Sequence, residues 1–387
     1  MISHASPQKV EGAEVKFVGK FSDKSNQPEF GPSQAERLTQ WYTETKRELP
    51  WRADRDPYRV LVSELMLQQT TVAAVVPLYQ RWMEKFPTID RLAEAASEEV
   101  MESWSGLGYY NRATRLHQAA QLLSDRGVYP TSLDGWLALP GFGPYTSAAV
   151  ASIAFGLPHL ALDTNVIRVL YRYFGWQVRS DHAPAHKQLR ERLEGSLEAH
   201  DFGVLNQGLM ELGATVCRIR QPLCSSCPLG PECQARREST AESIPVPRPK
   251  PEVRVTHGKA YILGATPKSA LLPQGTSVGL LSQLYQPLID LEGENRSDWP
   301  LTPQLERIRE DCGSTTLLGS VTHGISGRKL VLEVHRLVSK TLAKELQGAA
   351  KQLGHPILEV DREPASGANA ALSTLTRKLL KVWRESS

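Results

Sequence analysis

The sequence of 387 residues contains no run of 18 consecutive apolar residues, so we expect no membrane-spanning helix. Its first 30 residues lack both arginine and an apolar segment, and we therefore expect neither a secretory signal nor a transit peptide there. The net charge is only +3, so any case for a nucleic-acid partner has to come from local sites. The length suits two or three domains, and 41% hydrophobic residues are enough for a substantial core.

The first part of the chain lacks the alternation of apolar and polar residues that is typical of strands, and its periodicity is helical instead. Residues 1–31 are polar and predict a flexible tail, whereas residues 32–234 predict an all-α domain. The apolar stripes predict amphipathic helices over residues 33–48, 60–69, 72–86, 89–95, 98–104, 111–124, 133–139, 145–155 and 164–174.

Prolines mark the end of this helical region. Residues 235–257 contain four prolines with charged residues between them, a composition that predicts an interdomain linker. Beyond it, residues 258–385 predict a small α+β domain with one helix ending at Gly313. Short apolar or β-branched runs predict its strands over residues 259–265, 270–272, 315–321 and 329–337.

Cysteine is scarce, but four of the five cysteines fall close together. The spacing is C-x6-C-x2-C-x5-C, formed by Cys217, Cys224, Cys227 and Cys233. Such a group is typical of a metal site in a reducing compartment, and four thiolates suit either zinc or a [4Fe–4S] cluster. A chance grouping of free cysteines is the third possibility. The neighbouring arginines form either a solvated surface or a phosphate contact; they are Arg218, Arg220, Arg236 and Arg237.

A glycine-containing loop precedes one of the apolar helices. Gly141 and Gly143 flank an aromatic residue, and Pro144 suits the first turn of the helix that follows. A loop of this kind presents backbone N–H groups at a helix N-terminus, where they bind phosphate. Asp163 begins a further helix. A carboxylate in addition to a phosphate site suits a protein that holds a nucleic-acid backbone and stabilises a transient positive charge.

A second carboxyl group, Glu64, lies within an apolar run. Apolar surroundings disfavour the ionised form of a carboxyl group and suit a general acid. Composition alone favours the alternative, in which Glu64 is an exposed helix residue.

These motifs together resemble a known family. The loop L-P-G-x-G at residues 139–143, followed by Asp163, resembles the helix-hairpin-helix glycosylase superfamily, and the cysteine spacing resembles its endonuclease III group. Further segments resemble the adenine DNA glycosylase (MutY) family specifically, and the resemblance covers about residues 35–234. The segments are Pro50-Trp51-Arg52, Pro57-Tyr58, residues 63–70 and residues 104–110.

The resemblance implies a fold and a cofactor. The N-terminal domain would be a mainly α helix-hairpin-helix glycosylase domain, with a six-helix part at about residues 56–161 and a cluster part at 32–55 and 162–234. The four cysteines would hold a [4Fe–4S] cluster. The substrate would be double-stranded DNA containing an A:8-oxoguanine or A:G mispair, bound by a monomer in the bacterial cytoplasm in association with the nucleoid, without a membrane.

The resemblance also implies the roles of individual residues. Glu64 would protonate N7 of adenine, and Asp163 would stabilise or add to the oxocarbenium ion before water completes the reaction. Tyr145 and Asn165 would position groups in this site. Bifunctional relatives have lysine where this chain has Tyr145, and tyrosine cannot form a Schiff base, so base removal without strong strand cleavage is implied.

Other residues would contact the DNA. The extruded adenine would be lined by Arg47, Trp51, Arg52 and Glu211. The residues that enter the duplex or grip its backbone would be Gln69, Thr70, Leu107, Tyr109, Gly141 and Gly143. Extrusion leaves a gap in the base stack, which such inserted residues fill. For Leu107 and Tyr109 the alternative is core packing, although the adjacent glycines favour an exposed turn.

The C-terminal domain resembles the Nudix-like domain that senses 8-oxoguanine in this family. Residues 280–285 resemble a family turn. Residues 304–313 occupy the place of the hydrolase motif but lack its paired glutamates, so we expect no nucleotide hydrolysis. Where the family has F-S-H, this chain has Val321-Thr322-His323. We expect His323 to contact the lesion, with a purely structural histidine as the alternative.

Two other functions are consistent with parts of the sequence. One is an endonuclease III-like glycosylase and lyase acting on oxidised pyrimidines, which Tyr145 and the C-terminal domain disfavour. The other is a non-catalytic DNA-binding scaffold, which would need neither Glu64 nor Asp163.

Overall fold

The structure is a computed structural model of the chain. The residues that it describes are 27–247, 253–266, 268–273, 285, 287–292, 306–307, 315–325, 327–352, 357–361, 372 and 374–386. Most of the predicted tail, the centre of the predicted linker, residues 280–284 and most of residues 304–313 lie outside the described residues.

The chain divides into two compact units. Unit 1 comprises Met1–Arg47 and Ala151–Arg248, and unit 2 comprises Glu48–Val150 and Pro249–Ser387. Each unit is therefore formed from two separate stretches of sequence.

The described part of residues 27–247 is helical, as predicted. The helices are α1 (Pro32–Thr45), α2 (Pro57–Leu67), α3 (Val72–Lys85), α4 (Ile89–Ala93), α5 (Ser97–Ser103), α6 (Asn111–Arg126), α7 (Leu133–Leu137), α8 (Pro144–Phe155), α9 (Thr164–Phe174), α10 (Ala183–Ser196), α11 (Phe202–Thr215) and α12 (Gln234–Arg237). Short 3₁₀ turns lie at Pro50–Arg52, Cys224–Ser226 and Ala241–Ser243. None of the described helices is long and apolar enough to cross a membrane.

Aspartates define the starts of three of these helices. The side chains of Asp56, Asp163 and Asp201 cap α2, α9 and α11 by accepting hydrogen bonds from backbone N–H groups in the first turn. Such caps satisfy donors that have no partner within the helix. Helix α9 is capped at its C-terminus by Gly175, whose φ of 69° is left-handed and suits glycine.

Helix α9 forms the centre of unit 1. Every residue from Val166 to Phe174 is buried, and α11 and α12 supply part of the surrounding packing. A helix that is buried on every side fixes the position of the residue that caps it, which here is Asp163.

Helix α2 is the buried central helix of the helical part of unit 2, as α9 is of unit 1. All of its residues from Tyr58 to Met66 except Arg59 are buried. The Tyr58 hydroxyl accepts a hydrogen bond from Trp82 Nε1 at 3.1 Å and donates one to the Phe86 carbonyl at 2.7 Å. Trp82 also packs edge-on against Trp104, with the ring centroids 5.4 Å apart. The aromatic core thus holds α2 rigidly.

Among the described residues, the C-terminal part of unit 2 contains a mixed sheet of six strands. They are β1 (Arg254–Gly264), β2 (Ser269–Pro273), β3 (Leu288–Leu291), β4 (Thr316–Ile325), β5 (Arg328–Val338) and β6 (Ile357–Asp361). The strand order is β4-β5-β1-β2-β6, with β3 also paired to β1. Strands β1 and β5 are parallel, whereas the other pairs are antiparallel.

The helices beside this sheet whose bounds the structure describes are α13 (Lys340–Gln352) and α14 (Thr374–Glu385). Leu379 and Trp383 of α14 pack into one core of the sheet, and Leu342 and Leu346 of α13 pack into another. The mixed α+β character of this part is confirmed, and the predicted strands correspond to β1, β2, β4 and β5.

Both ends of the region predicted as a linker contain ordered, described residues. Within residues 235–247, Ala235 and Ile244 are buried in the core of unit 1, and β1 already begins at Arg254. The prolines exclude a long helix but leave room for the short helix α12. Helices α10, α11, α13 and α14 and strands β3 and β6 were not individually predicted.

Candidate active site

Glu64 is buried in the last two turns of α2, with only 7% of its surface exposed. The position is therefore not that of an exposed helix residue. Tyr145, in the first turn of α8, donates a hydrogen bond from its hydroxyl to Glu64 Oε2 at 2.5 Å. Next to it in sequence, Thr146 Oγ1 accepts a hydrogen bond from Gln68 Nε2 at 3.1 Å. These contacts fix the start of α8 against the end of α2 and orient the Glu64 carboxyl group.

Asp163 is partly buried at the start of α9 in unit 1. Its Oδ1 accepts a hydrogen bond from Val166 N at 2.6 Å, and its Oδ2 accepts one from Asn165 Nδ2 at 2.9 Å. Burial raises the pKa of Asp163, and the hydrogen bonds from Val166 and Asn165 oppose that rise. The carboxylate is therefore both a helix cap and a group held in a defined orientation.

Asn165 is itself held by Arg168. Its Oδ1 accepts a hydrogen bond from Arg168 Nη2 at 2.8 Å, and the same nitrogen donates to the Gly213 carbonyl at 2.7 Å. A Cβ atom on Gly213 would lie 2.5 Å from Asn165 Cβ, so only glycine leaves room for Asn165 here. Arg168 and Gly213 were not predicted from the sequence, since neither lies in a motif that we recognised.

The residues expected to line the adenine fall in both units. In unit 1, Arg47 Nε and Nη2 donate to the two carboxylate oxygens of Glu211 at 2.7 and 2.9 Å, and Arg47 N donates to Oε1 at 3.2 Å. Glu211 is only 1% exposed. In unit 2, Trp51 is buried against Tyr79 with ring centroids 5.3 Å apart, and Arg52 ends the adjoining 3₁₀ turn and is partly exposed.

The Arg47–Glu211 pair has a consequence for stability. Replacing Arg47 by Met should lower the free energy of unfolding by about 2–3 kcal/mol, because it leaves a buried carboxylate without its bidentate partner. Urea denaturation measures this change. The matched control is Arg37→Met, which breaks a 2.6 Å pair with Glu232, a carboxylate whose side chain is 28% exposed, and should cost at most about 1 kcal/mol. Equal losses of unfolding free energy in the two variants would show that the Arg47–Glu211 pair stabilises the fold no more than the Arg37–Glu232 pair does.

The four clustered cysteines line one cavity of about 30 Å³ in unit 1. Among the residues that the structure describes, however, no three or more His, Cys, Asp or Glu side chains are arranged as a formed metal site. Burial raises the pKa of Cys227 to about 12 and also raises that of Cys233. Burial therefore disfavours the ionised forms of Cys227 and Cys233, which a bound cation would favour. Soft sulfur donors alone, lining one cavity, fit zinc or an iron–sulfur cluster and do not fit a hard oxygen-seeking cation.

Arg172 holds the start of this cysteine loop. Its guanidinium group donates to Cys217 Sγ at 3.4 Å and to the carbonyls of Arg218 and Ile219 at 2.6 and 3.0 Å. Arg168 Nε donates to the Cys217 carbonyl at 2.8 Å. Arg168 therefore contacts both the Asn165 side chain and the backbone of the first cysteine.

The residues expected to enter the duplex lie on two loops of unit 2. Gln69 and Thr70 follow α2, and Gln69 is exposed with a φ of 58°. Leu107 and Tyr109 precede α6; Tyr109 is 54% exposed with a φ of 46°, whereas Leu107 is only 5% exposed. The glycine-rich turn thus presents Tyr109 to solvent and keeps Leu107 packed.

The hairpin between α7 and α8 has the predicted turn. Gly141 has a φ of 81°, and a Cβ there would lie 2.1 Å from Arg115 Cδ, so the position requires glycine. Gly143 has no positive φ, and a Cβ atom added there would meet no heavy atom within 4 Å, so backbone geometry does not require glycine at this position. Phe142 is buried and stacks on Trp136 at a centroid distance of 6.0 Å, which anchors the hairpin.

His323 lies on β4 and is partly buried. Burial lowers the pKa of His323, and the charge of Lys378 lowers it further, which favours the neutral imidazole. Lys378 Nζ donates to the carbonyl of the neighbouring Thr322 at 3.1 Å. Thr322 is exposed, whereas Val321 is buried in the sheet core.

The part of the chain that holds these carboxyl groups matches a known protein family. Residues 62–196 match the family described as HhH-GPD superfamily base excision DNA repair protein. The matched range includes Glu64, Tyr145 and Asp163.

Several curated proteins are similar to this chain. A human adenine DNA glycosylase is 42% identical over 218 residues, which cover 54% of this chain and 40% of that protein. An adenine DNA glycosylase of Buchnera aphidicola subsp. Acyrthosiphon pisum is 36% identical over 209 residues, which cover 53% of this chain and 60% of that protein. The chain thus spans about half the length of the curated relatives it matches.

Among solved structures, a thermostable thymine-DNA glycosylase is 30% identical with a TM-score of 0.48, and the match covers 53% of this chain and 95% of that one. A non-covalent endonuclease III–DNA complex is 26% identical with a TM-score of 0.45, covering 53% of this chain and 94% of that one.

Proposed function

We propose that this protein is a DNA glycosylase that removes adenine mispaired with 8-oxoguanine or guanine, since residues 62–196 match the HhH-GPD superfamily of base excision DNA repair proteins. The observation that carries the proposal is the buried Glu64 carboxyl group with the Tyr145 hydroxyl bonded to it at 2.5 Å. The adenine specificity draws on the relatives named adenine DNA glycosylase.

The proposed reaction is hydrolysis of the bond between adenine N9 and C1′ of the deoxyribose. Glu64 gives a proton to N7, and the bond electrons leave with the base, so that adenine departs as a neutral molecule. Asp163 stabilises the positive charge that develops on the sugar. Water then adds to C1′ and releases a proton, leaving an abasic site. The division of labour between two carboxyl groups parallels that of retaining glycosidases.

Tyr145 determines whether strand cleavage accompanies base removal. A phenol has no amine with which to form a Schiff base at C1′, so this chain lacks at that position the nucleophile needed to cleave the strand. We therefore propose a monofunctional glycosylase.

Replacing Tyr145 by Phe tests how much the hydrogen bond to Glu64 contributes to the rate of adenine excision. Removal of one hydrogen bond to a carboxyl group costs about 1–2 kcal/mol, so the single-turnover rate of adenine excision should fall about tenfold. The matched control is Tyr129→Phe, on a tyrosine of the same unit outside the site. An unchanged rate in Tyr145→Phe would mean that the phenol does not orient the acid.

The raised pKa of Asp163 predicts a pH dependence. Asp163 acts as the ionised form, so excision should fall as the pH drops through its raised pKa, above the ordinary range for aspartate. Asn165→Ala removes a hydrogen bond that lowers this pKa, and the acidic limb of the single-turnover pH profile should therefore move to higher pH. If the acidic limb stayed in place or moved to lower pH in Asn165→Ala, its assignment to Asp163 would be wrong.

The cysteine group is proposed to hold a [4Fe–4S] cluster through Cys217, Cys224, Cys227 and Cys233. The support is the spacing and the shared cavity, which these sulfur atoms line together with mostly apolar side chains. The cluster would supply a fixed link between the ends of this loop. Anaerobically reconstituted protein should contain iron and show a broad visible absorption band, which Cys227→Ser should diminish and Cys312→Ser, at the fifth cysteine, should not. If the reconstituted protein contained zinc and no iron, the cluster assignment would be wrong and the four cysteines would form a zinc site.

The sheet domain is proposed to be Nudix-like and to read the base opposite the adenine through His323. A neutral imidazole suits this role, because it both donates and accepts hydrogen bonds at a base edge. His323→Ala should reduce the preference for 8-oxoguanine:A over G:A, and His257→Ala, at an exposed histidine of β1, should not. If His323→Ala kept the full preference for 8-oxoguanine:A over G:A, the assignment of His323 to the opposite base would be wrong.

The proposed activity is tested by identifying the released base. Incubation with a duplex containing 8-oxoguanine:A should release free adenine, which chromatography with mass detection quantifies. Failure to release adenine from this duplex, by protein that carries its cluster, would overturn the proposal.

A further inference from the structure

We infer that Arg112 is a positioning residue for base extrusion, which holds the two loops of unit 2 in the shape that enters the duplex. The first loop is residues 68–71, between α2 and α3, and the second loop is residues 104–110, between α5 and α6. The inference rests on the proposed function, in which these loops fill the gap left by the adenine.

Arg112 is buried at the start of α6 and binds both the end of α2 and the first loop. Its Nη1 donates to the carbonyls of Leu65 and Met66 at 2.8 and 3.0 Å and also to the carbonyl of Gln68. Its Nη2 lies 3.3 Å from Thr70 Oγ1. The last carbonyls of a helix have no partner within it, and a cation there also complements the helix dipole. Arg112 therefore ends α2 and sets the path of the chain into Gln69.

The same guanidinium group binds the second loop. Its Nη2 donates to the carbonyls of Leu107 and Gly108 at 3.0 and 3.1 Å. Its central carbon lies 5.4 Å from the ring centroids of both Trp104 and Tyr109. One side chain therefore joins the two loops, and each loop carries a residue expected to enter the duplex.

Both loops contain a residue in a conformation that its side chain disfavours. Gln69 and Tyr109 have φ values of 58° and 46°, and neither is glycine. Such conformations are energetically unfavourable and persist only where surrounding contacts impose them. Arg112 bonds the carbonyl immediately before each of these residues, those of Gln68 and Gly108, so it supplies the constraint at the point of strain.

Arginine is the side chain that this arrangement requires. Its planar group presents donors in two fixed directions, whereas the lysine ammonium is a single point with three donors. Burial lowers the pKa of Arg112 to about 10, so the group stays charged at neutral pH. We therefore expect lysine to preserve the charge but to hold only one of the two loops.

The experiment monitors the fluorescence of 2-aminopurine placed at the target adenine, together with single-turnover excision of adenine, in Arg112→Met and Arg112→Lys. The control is Arg126→Met, an exposed arginine of the same helix. Both Arg112 variants should extrude and excise at least about tenfold more slowly, since small displacements of positioning groups have effects of this size, while binding to an abasic product duplex is retained.

A second duplex separates positioning from loss of folded protein. Mismatched pairs on both sides of the target lower the energy needed to unstack it, so the defect of the Arg112 variants should shrink on that duplex. An equal defect on both duplexes, wild-type extrusion rates, or loss of the folded state in both variants by circular dichroism would each overturn the inference. Failure of the wild-type protein to release adenine would instead overturn the proposed function.

Discussion

Glu64→Gln should abolish most adenine excision and leave binding to the mispaired duplex nearly intact. Glutamine fills the same volume but cannot give a proton to N7, and loss of a general acid typically lowers the rate by about 10²–10⁴-fold. Glutamine can still accept the hydrogen bond from the Tyr145 hydroxyl, so the contact between α2 and the start of α8 is expected to survive.

Two measurements on this variant belong together. Single-turnover excision from 8-oxoguanine:A gives the rate, and a gel-shift or anisotropy titration gives the affinity. The control is Glu98→Gln, at an exposed glutamate in the first turn of α5, which should match the wild type in both. Full excision activity in Glu64→Gln would remove the acid from the mechanism, and lost affinity with lost activity would point to misfolding.

Asp163→Asn is expected to lose activity on a similar scale, about 10²–10⁴-fold, because a neutral amide does not stabilise a developing oxocarbenium ion. The difficulty is that Asp163 also caps α9, so a defect could arise from the cap alone. The amide oxygen of asparagine can accept the bond from Val166 N, and a helix cap changes little on replacement of Asp by Asn.

Asp201 provides the matched control for this cap. Its carboxylate caps α11 in the same unit by accepting a hydrogen bond from Val204 N at 3.1 Å, and it has no role in the proposed chemistry. Asp201→Asn should retain excision, and both variants should unfold at similar temperatures. If Asp201→Asn lost activity as severely as Asp163→Asn, the loss would reflect helix capping and not catalysis.

The sequence predicted the elements whose pattern is local. The apolar stripes of α3 and α6 and the strands β4 and β5 follow from periodicity of 3.6 and 2 residues. The burial of Glu64 was not settled by its apolar neighbours in sequence, since composition alone favoured an exposed residue and the acid role was implied by the resemblance; the structure buries nearly all of α2.

The contacts between distant residues were not predictable in this way. Arg112 and Arg168 are buried because they bind backbone carbonyls, and nothing in the residues around an arginine specifies which carbonyls lie near it in the fold. Gly213 must be glycine because Asn165, 48 positions earlier in the chain, lies against it. The residues next to Gly213 in the sequence do not indicate this contact. Arg47 and Glu211 were each linked to the adenine, but their pairing with each other emerged only from the structure.

The measurement that tests the central claim most directly uses three duplexes that contain 8-oxoguanine:A, G:A or an oxidised pyrimidine, each scored for strand breaks with and without alkali. The proposed monofunctional adenine glycosylase predicts breaks in the adenine-containing strand of 8-oxoguanine:A and G:A only after alkali, and none in the pyrimidine duplex. Breaks without alkali, or breaks in the pyrimidine duplex in place of the adenine duplexes, would contradict it.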